Sequence, residues 1–115
     1  MDYRFRVVFL QESKDFIDGL DPKTRKKVLY NVWKSRMITD PELFKKLKGE
    51  IWELRTLYNR KLIRLLAFWD KTEKQDALVI STHGFIKKTG KTPKSEIEKA
   101  EGMRTKYFQE KKNKS

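Results

Sequence analysis

The sequence contains no cysteine and only one histidine. The absence of cysteine excludes a disulfide framework and thiolate metal sites, and a single histidine argues against a zinc site, so we expect no metal and no cofactor. The sequence also lacks a phosphate-binding P-loop, a dinucleotide fingerprint, a bilayer-spanning apolar run and a charged-then-apolar leader. We therefore expect a cytoplasmic protein with no membrane partner, and a chain that is complete from its start.

Acidic residues are outnumbered by basic ones, 16 to 28, which gives a formal net charge of +12. The excess lies in two separated blocks. Residues 23–48 carry nine basic and two acidic side chains, and residues 84–115 carry ten and four. Such a charge predicts a polyanionic partner, either nucleic acid, an acidic protein or an anionic membrane surface. Charge alone also fits a lysine-rich solvated surface.

The N-terminal half shows one strand and two helices. Residues 3–9 alternate as a strand, and residues 11–20 have the pattern of a short helix. A second helix should begin at Asp21 and Pro22, because aspartate accepts backbone N–H bonds at the N-cap and proline fits the first helical position. This helix, to about Met37, should bury one stripe, formed by Val28, Leu29, Val32 and Trp33.

The C-terminal half begins with a short turn or helix over residues 41–47. Three apolar runs then predict an antiparallel meander of strands, at 51–57, 62–69 and 77–85. A charged hairpin loop is expected at 70–76, and the last strand should break at Gly84. Thr92 should cap a final helix from Pro93 to about residue 110.

These elements follow the order β-α-α-β-β-β-α. The order predicts an α+β fold, in which a mostly antiparallel four-stranded sheet carries two N-terminal helices and a C-terminal helix packed on one side. We expect one domain over residues 1–110 and a polar tail over residues 111–115.

Arg64 is the most informative single residue, because it is the only charge in the apolar strand 62–69. Charged groups are rarely buried without a partner. Either Glu53 pairs with Arg64, or Arg64 lies on an open sheet face and awaits an anion. If Trp52 faces the helices, then Arg55 faces away from them and could join Arg64 across a short hairpin as a bidentate phosphate clamp.

His83 and the lysines that follow it form a second candidate cluster. His83 is the one side chain that titrates near neutrality without perturbation, although a lone histidine is more often structural. Lys87, Lys88 and Lys91 lie between the end of a central strand and the start of a helix, in what should be an exposed loop. That position favours an anion site over a merely solvated surface.

Four segments of the chain resemble the RelE/ParE toxin superfamily, and most closely its HigB-like, or phage Gp49-like, branch. The segments are LKGEIWELR (47–55), RLL (64–66), HGFIKKTGKTP (83–93) and IEKA (97–100). The resemblance implies a RelE-like fold and a toxin of a type II toxin–antitoxin pair that cuts mRNA on the ribosome. It also implies a cognate antitoxin, often a helix-turn-helix protein from the adjacent gene, and a metal-free reaction in which the 2′-hydroxyl attacks the adjacent phosphate.

The same resemblance suggests roles for individual residues. Arg55 and Arg64 match the basic residues that hold and polarise the scissile phosphate, and Lys87 and Lys88 match the basic position after the last strand. Glu53 or His83 could be the general base, and one of the two lysines the general acid. Tyr107 lies on a helical stripe, so we expect it to pack in the core. The predicted RNA-binding surface further includes Lys48, Arg60, Lys61, Lys91 and Lys94.

Two other functions remain as alternatives. One is a ParE-like inhibitor that binds DNA gyrase without catalysis, and the other is an inactive phage-derived RNA-binding module. The arginine pair favours the nuclease, because a gyrase binder has no need of convergent cations on the sheet.

Overall fold

A computed structural model describes residues 3–72, 77–88 and 90–114. The elements along these residues are β1 (Arg6–Phe9), α1 (Gln11–Asp18), α2 (Pro22–Met37), β2 (Phe44–Lys48), β3 (Ile51–Tyr58), β4 (Lys61–Asp70), β5 (Leu78–Lys87) and α3 (Lys94–Asn113). The fold is α+β, as predicted. Part of the predicted hairpin loop, residues 73–76, lies outside the described residues.

The sheet has five strands in the order β1-β5-β4-β3-β2, rather than the four predicted. β1 runs parallel to β5, and the other three pairs are antiparallel. The additional strand is β2, where the sequence predicted a short turn or helix. Phe44 is buried at its start and packs on Trp52, while Lys45 and Lys46 occupy an edge strand, a position where lysine is common because it discourages further pairing.

Helices cover both faces of the sheet, so the predicted one-sided packing is wrong. On one face, Ile17 of α1 and Val28 of α2 pack in the same cluster as Ile63 and Leu65 of β4. On the other face, residues that alternate with these pack against α3, which contributes Ile97, Ala100 and Phe108. A strand that is buried on both sides must be apolar at nearly every position, and this explains the composition of β4.

α2 begins as predicted, because Asp21 accepts a hydrogen bond from the backbone N–H of Thr24 at 3.2 Å. Its predicted buried stripe is only half correct. Val28 and Val32 are buried, whereas Leu29 and Trp33 are 41% and 42% exposed. The helix therefore directs apolar side chains both toward the sheet and away from it.

β5 does not break at Gly84 but continues to Lys87. Glycine is needed there for space rather than for a turn. A Cβ atom at this position would lie 2.2 Å from Cδ2 of Phe16 and 2.7 Å from Cδ2 of Leu65. Gly84 thus lets α1 approach the sheet closely.

α3 continues to Asn113, which is three residues into the predicted tail. Tyr107 packs against Phe68 and Phe108, as predicted, and its hydroxyl donates to Oδ2 of Asp70 at 2.6 Å. Lys111 donates to the same oxygen at 2.7 Å. In the part of the chain that the structure describes, no helix is both long and apolar enough to cross a membrane.

Candidate nucleic-acid interface

Arg55 and Arg64 lie directly opposite each other on β3 and β4. The register follows from the two-residue turn between the strands, in which Asn59 and Arg60 have φ values of 51° and 63°, as type I′ hairpin turns require. The turn therefore places the two guanidinium groups on the same face of the sheet, the face that α3 covers. The pairing of these two residues across a short hairpin matches the sequence prediction.

Glu53 lies between the two arginines. Its Oε1 atom is 3.4 Å from Nε of Arg55 and 3.6 Å from Nε of Arg64, and Oε2 accepts a hydrogen bond from the hydroxyl of Thr92 at 2.8 Å. Glu53 and Arg64 are each only 3% exposed. Of the two outcomes that the sequence left open for Arg64, the pairing with Glu53 occurs. The open sheet face is wrong for Arg64, because α3 covers this face and Arg64 is buried there beside Arg55.

The single carboxylate does not saturate the two guanidinium groups. Among the described residues, the Nε atoms of Arg55 and Arg64 are buried without a hydrogen-bond acceptor, because Oε1 lies too far from each for a good hydrogen bond. Two cations and one anion leave a net positive charge. Arg55, whose side chain is 23% exposed and lines the adjacent groove, is therefore the member of the pair that an added anion can reach.

A groove of about 390 Å³ opens beside this cluster and is called here the basic groove. It is lined by Lys45, Leu47, Glu53, Arg55, Lys87, Gly90, Lys91, Thr92 and Ile97. Four of these side chains are cationic and one is a carboxylate. Arg64 lies behind Glu53 and does not line the groove.

The family model of phage-derived Gp49-like proteins, also designated DUF891, matches residues 15–105. The chain belongs to the Gp49-like family. This family is part of the RelE/HigB-like toxin superfamily, so the resemblance seen in the sequence is confirmed at the level of the family. No curated protein matches the chain.

Lys87 of this Gp49-like chain projects into the basic groove from the end of β5. Burial and the nearby Arg64 guanidinium lower the pKa of Lys87, while Glu53 opposes the shift. A lysine with a lowered pKa releases its proton more readily, which is the property that a general acid needs.

His83 is buried and does not line the basic groove. Its Nδ1 is 3.0 Å from the hydroxyl of Thr82, and its Nε2 is 3.0 Å from Oε1 of Glu96 in the first turn of α3. Burial lowers the pKa of His83 despite the opposing hydrogen bond to Glu96. The geometry ties α3 to the sheet through His83, and Glu53 is the better placed of the two candidate bases.

The other predicted site residues, which are the catalytic candidate Lys88 and the five RNA-binding candidates, are more scattered. Lys91 lines the basic groove, whereas Lys48, Arg60, Lys61, Lys88 and Lys94 are exposed outside its lining. Lys94 forms an exposed ion pair with Glu98 at 3.7 Å.

Two polar side chains of the groove were not predicted as site residues from the sequence. Lys45 faces the groove because it pairs in register with Glu53 on the neighbouring strand, and recognising β2 as a strand would have revealed it. Thr92 was predicted to cap the last helix, but the N-cap position is Pro93, and Thr92 holds Glu53 instead. No local pattern signals that contact, because the two residues are distant in sequence.

Proposed function

We propose that this Gp49-like protein is a cytoplasmic toxin of a type II toxin–antitoxin pair, and that it cleaves mRNA on the ribosome without a metal. The observation that best supports this function is Arg55, which lines a groove with three lysines and is backed by Arg64 on the neighbouring strand. RNA presents one phosphate per nucleotide, and a fixed guanidinium group among lysines is suited to hold it.

In the proposed reaction, the 2′-oxygen of a nucleotide attacks the adjacent phosphorus and the bond to the 5′-oxygen breaks. Glu53 accepts the proton of the 2′-hydroxyl, and Lys87 donates a proton to the departing 5′-oxygen. Arg55 stabilises the charge that develops on the phosphoryl oxygens. Arg64, which lies behind Glu53, holds that carboxylate in place.

The basic groove also fits the expected antitoxin. An acidic segment of that protein would compete with RNA for the same cations, so one surface would serve for both activity and its inhibition. Helix-turn-helix antitoxins from adjacent genes are the partner class that the superfamily resemblance suggests.

Replacement of Arg55 by alanine tests the proposal. The loss of one preorganised donor should lower the cleavage rate about 10²–10³-fold. Cut sites would be mapped by primer extension on a message translated in a reconstituted system. Arg64→Ala should have a similar effect, with thermal unfolding measured beside it because Arg64 is buried. Lys14→Ala, which removes an exposed positive charge on α1, should leave cleavage unchanged.

Two results would contradict the nuclease. If the wild type arrests growth, leaves messages intact and causes DNA breaks to accumulate, the protein acts as a gyrase inhibitor. If it binds RNA but neither cleaves messages nor arrests growth, it is an inactive binding module.

A further inference from the structure

The outer side of α2 exposes a run of large apolar side chains. Leu29, Tyr30 and Trp33 are 41%, 48% and 42% exposed. Leu29, Trp33 and Met37 are spaced four residues apart, so they form a ridge along one side of the helix. The rings of Tyr30 and Trp33 are in contact, with centroids 5.8 Å apart. Apolar groups that cluster in this way indicate an interaction surface more strongly than scattered ones do.

The charge of α2 is entirely positive. Its sixteen residues include six basic and no acidic side chains. Lys23 and Lys26 are exposed beside the apolar ridge, and Nζ of Lys27 lies 5.2 Å from the centroid of the Tyr30 ring. We call the ridge with these three lysines the α2 outer surface.

We propose that the α2 outer surface binds an acidic amphipathic helix of a partner protein. A ridge of side chains at i, i+4 and i+8 fits the groove of a second helix, and glutamates flanking that helix's apolar stripe would face the lysines. A second copy of this chain is a poor occupant, because two α2 helices would oppose like charges. RNA fits less well, because only Tyr30 and Trp33 offer flat rings for stacking, whereas Leu29 and Met37 of the ridge are aliphatic.

The α2 outer surface and the basic groove lie on opposite sides of the sheet. Val28 and Val32 of α2 pack on the face formed by Ile63 and Leu65, whereas the groove opens on the face that α3 covers. A helix bound to α2 therefore leaves the groove accessible. This inference does not depend on the proposed cleavage reaction.

A designed peptide tests the surface with the full chain. The probe is a fluorescein-labelled helical peptide with glutamates around a leucine stripe, and the control peptide has the same composition with its leucines distributed around the helix. Fluorescence anisotropy should show binding of the first peptide and not of the second. Trp33→Ala should weaken binding about tenfold or more, because tryptophan dominates interfaces of this kind, and Lys26→Glu should weaken it through charge.

Leu57→Ala is the matched control, because Leu57 is 65% exposed but lies outside α2. It should leave the affinity unchanged. Circular dichroism would verify that each variant is folded. A single-stranded RNA oligonucleotide bound in the groove should not displace the peptide.

Three outcomes would overturn the inference. The first is absence of peptide binding at about 1 mM. The second is equal binding of the two peptides or of folded Trp33→Ala. The third is displacement of the peptide by RNA together with weaker RNA binding by Trp33→Ala, which would make α2 a nucleic-acid surface.

Discussion

Gly84 shows how a single atom position can determine the approach of a helix to a sheet. The residue lies in the interior of β5, where glycine is ordinarily unfavourable because it has no side chain to pack. Here the ring of Phe16 occupies the space that a Cβ atom would take. The position therefore excludes every other residue unless α1 shifts. Gly102, in the interior of α3, is under no comparable constraint, because a Cβ atom there would meet no atom within 4 Å beyond the backbone of its own helix.

The two glycines should respond to alanine in opposite directions. Gly84→Ala should lower the free energy of unfolding by about 1–3 kcal/mol, because overpacking forces the surrounding side chains to move. Gly102→Ala should raise it by up to about 1 kcal/mol, because alanine favours the helix. Urea denaturation monitored by circular dichroism would measure both changes. Stabilisation by Gly84→Ala would show that α1 does not pack as described.

At the scale of elements, α3 is attached to the sheet by polar contacts at both ends. Glu96 contacts His83 near the start of the helix, and Tyr107 and Lys111 donate to Asp70 near its end. Burial alone would raise the pKa of Asp70, but hydrogen bonds from Lys111, Thr72 and Tyr107 outweigh it and hold that pKa well below its ordinary value. Asp70 is thus a buried carboxylate that stays ionised because three side chains donate to it.

The lowered pKa of Asp70 makes the fold sensitive to acid. An unfolded aspartate binds a proton near pH 3.9, whereas folded Asp70 resists protonation, so its contribution is complete above about pH 5 and is lost progressively as the pH falls further. Asp70→Asn should lower the free energy of unfolding at neutral pH by about 1.5–3 kcal/mol. It should also flatten the decline of stability between about pH 5 and pH 2.

Urea unfolding at a series of pH values would check this prediction, with exposed Asp18→Asn as the control. An acid decline in Asp70→Asn that equals the decline in the wild type would assign the acid sensitivity to other groups.

The elements with regular patterns could be predicted from the sequence. Asp21 and Pro22 marked the start of α2, and the apolar composition of β4 marked a central strand. The strand β2 could not be recognised, because Lys45 and Lys46 interrupt its short apolar pattern. The two-sided arrangement of the helices also escaped prediction, since an amphipathic pattern gives the buried face of a helix and not the side of the sheet that it covers.

The candidate site likewise includes residues whose positions could be predicted from the sequence and residues whose positions could not. Arg55 and Arg64 could be paired from the sequence because a short hairpin fixes their register. The position of Thr92 beside Glu53 depends on the path of the chain between β5 and α3, which no local pattern encodes. The predicted buried stripe of α2 was half wrong for a similar reason. Leu29 and Trp33 adjoin Val28 and Val32 on the helix circumference, so their spacing alone did not show that they face solvent.

At the scale of the whole molecule, positive charge is distributed over both sides of the sheet, and on the side that α3 covers it lines the basic groove. Lys45 and Lys91 line the groove beside Arg55, whereas Lys26 lies on α2. Binding of RNA through its phosphates releases counterions, so the dependence of RNA affinity on salt concentration reports the number of phosphate contacts. Variants on each side of the sheet would then show which side binds RNA.

RNA affinity should therefore fall steeply as the salt concentration rises, and this dependence should come from the groove residues. For single strands each phosphate contact adds about −0.7 to the slope of log affinity against log salt concentration. Lys45→Ala and Lys91→Ala should each make the slope shallower by about that amount, and Lys26→Ala should not change it. Fluorescence titration of a labelled oligonucleotide at several salt concentrations would give the slopes. An altered slope for Lys26→Ala alone would move RNA binding to α2.

The parallel pairing of β1 with β5 has a consequence for how the protein is made. Strands β2 to β5 are neighbours in sequence and can join as soon as they emerge from the ribosome. β1 is synthesised first but must wait for β5, so Val7, which pairs with Val79, has no strand partner until most of the chain has been translated. A nascent chain that stops before β5 also lacks Lys87. Incomplete translation products would thus expose an unpaired N-terminal strand that is prone to aggregation, and they would lack part of the groove lining.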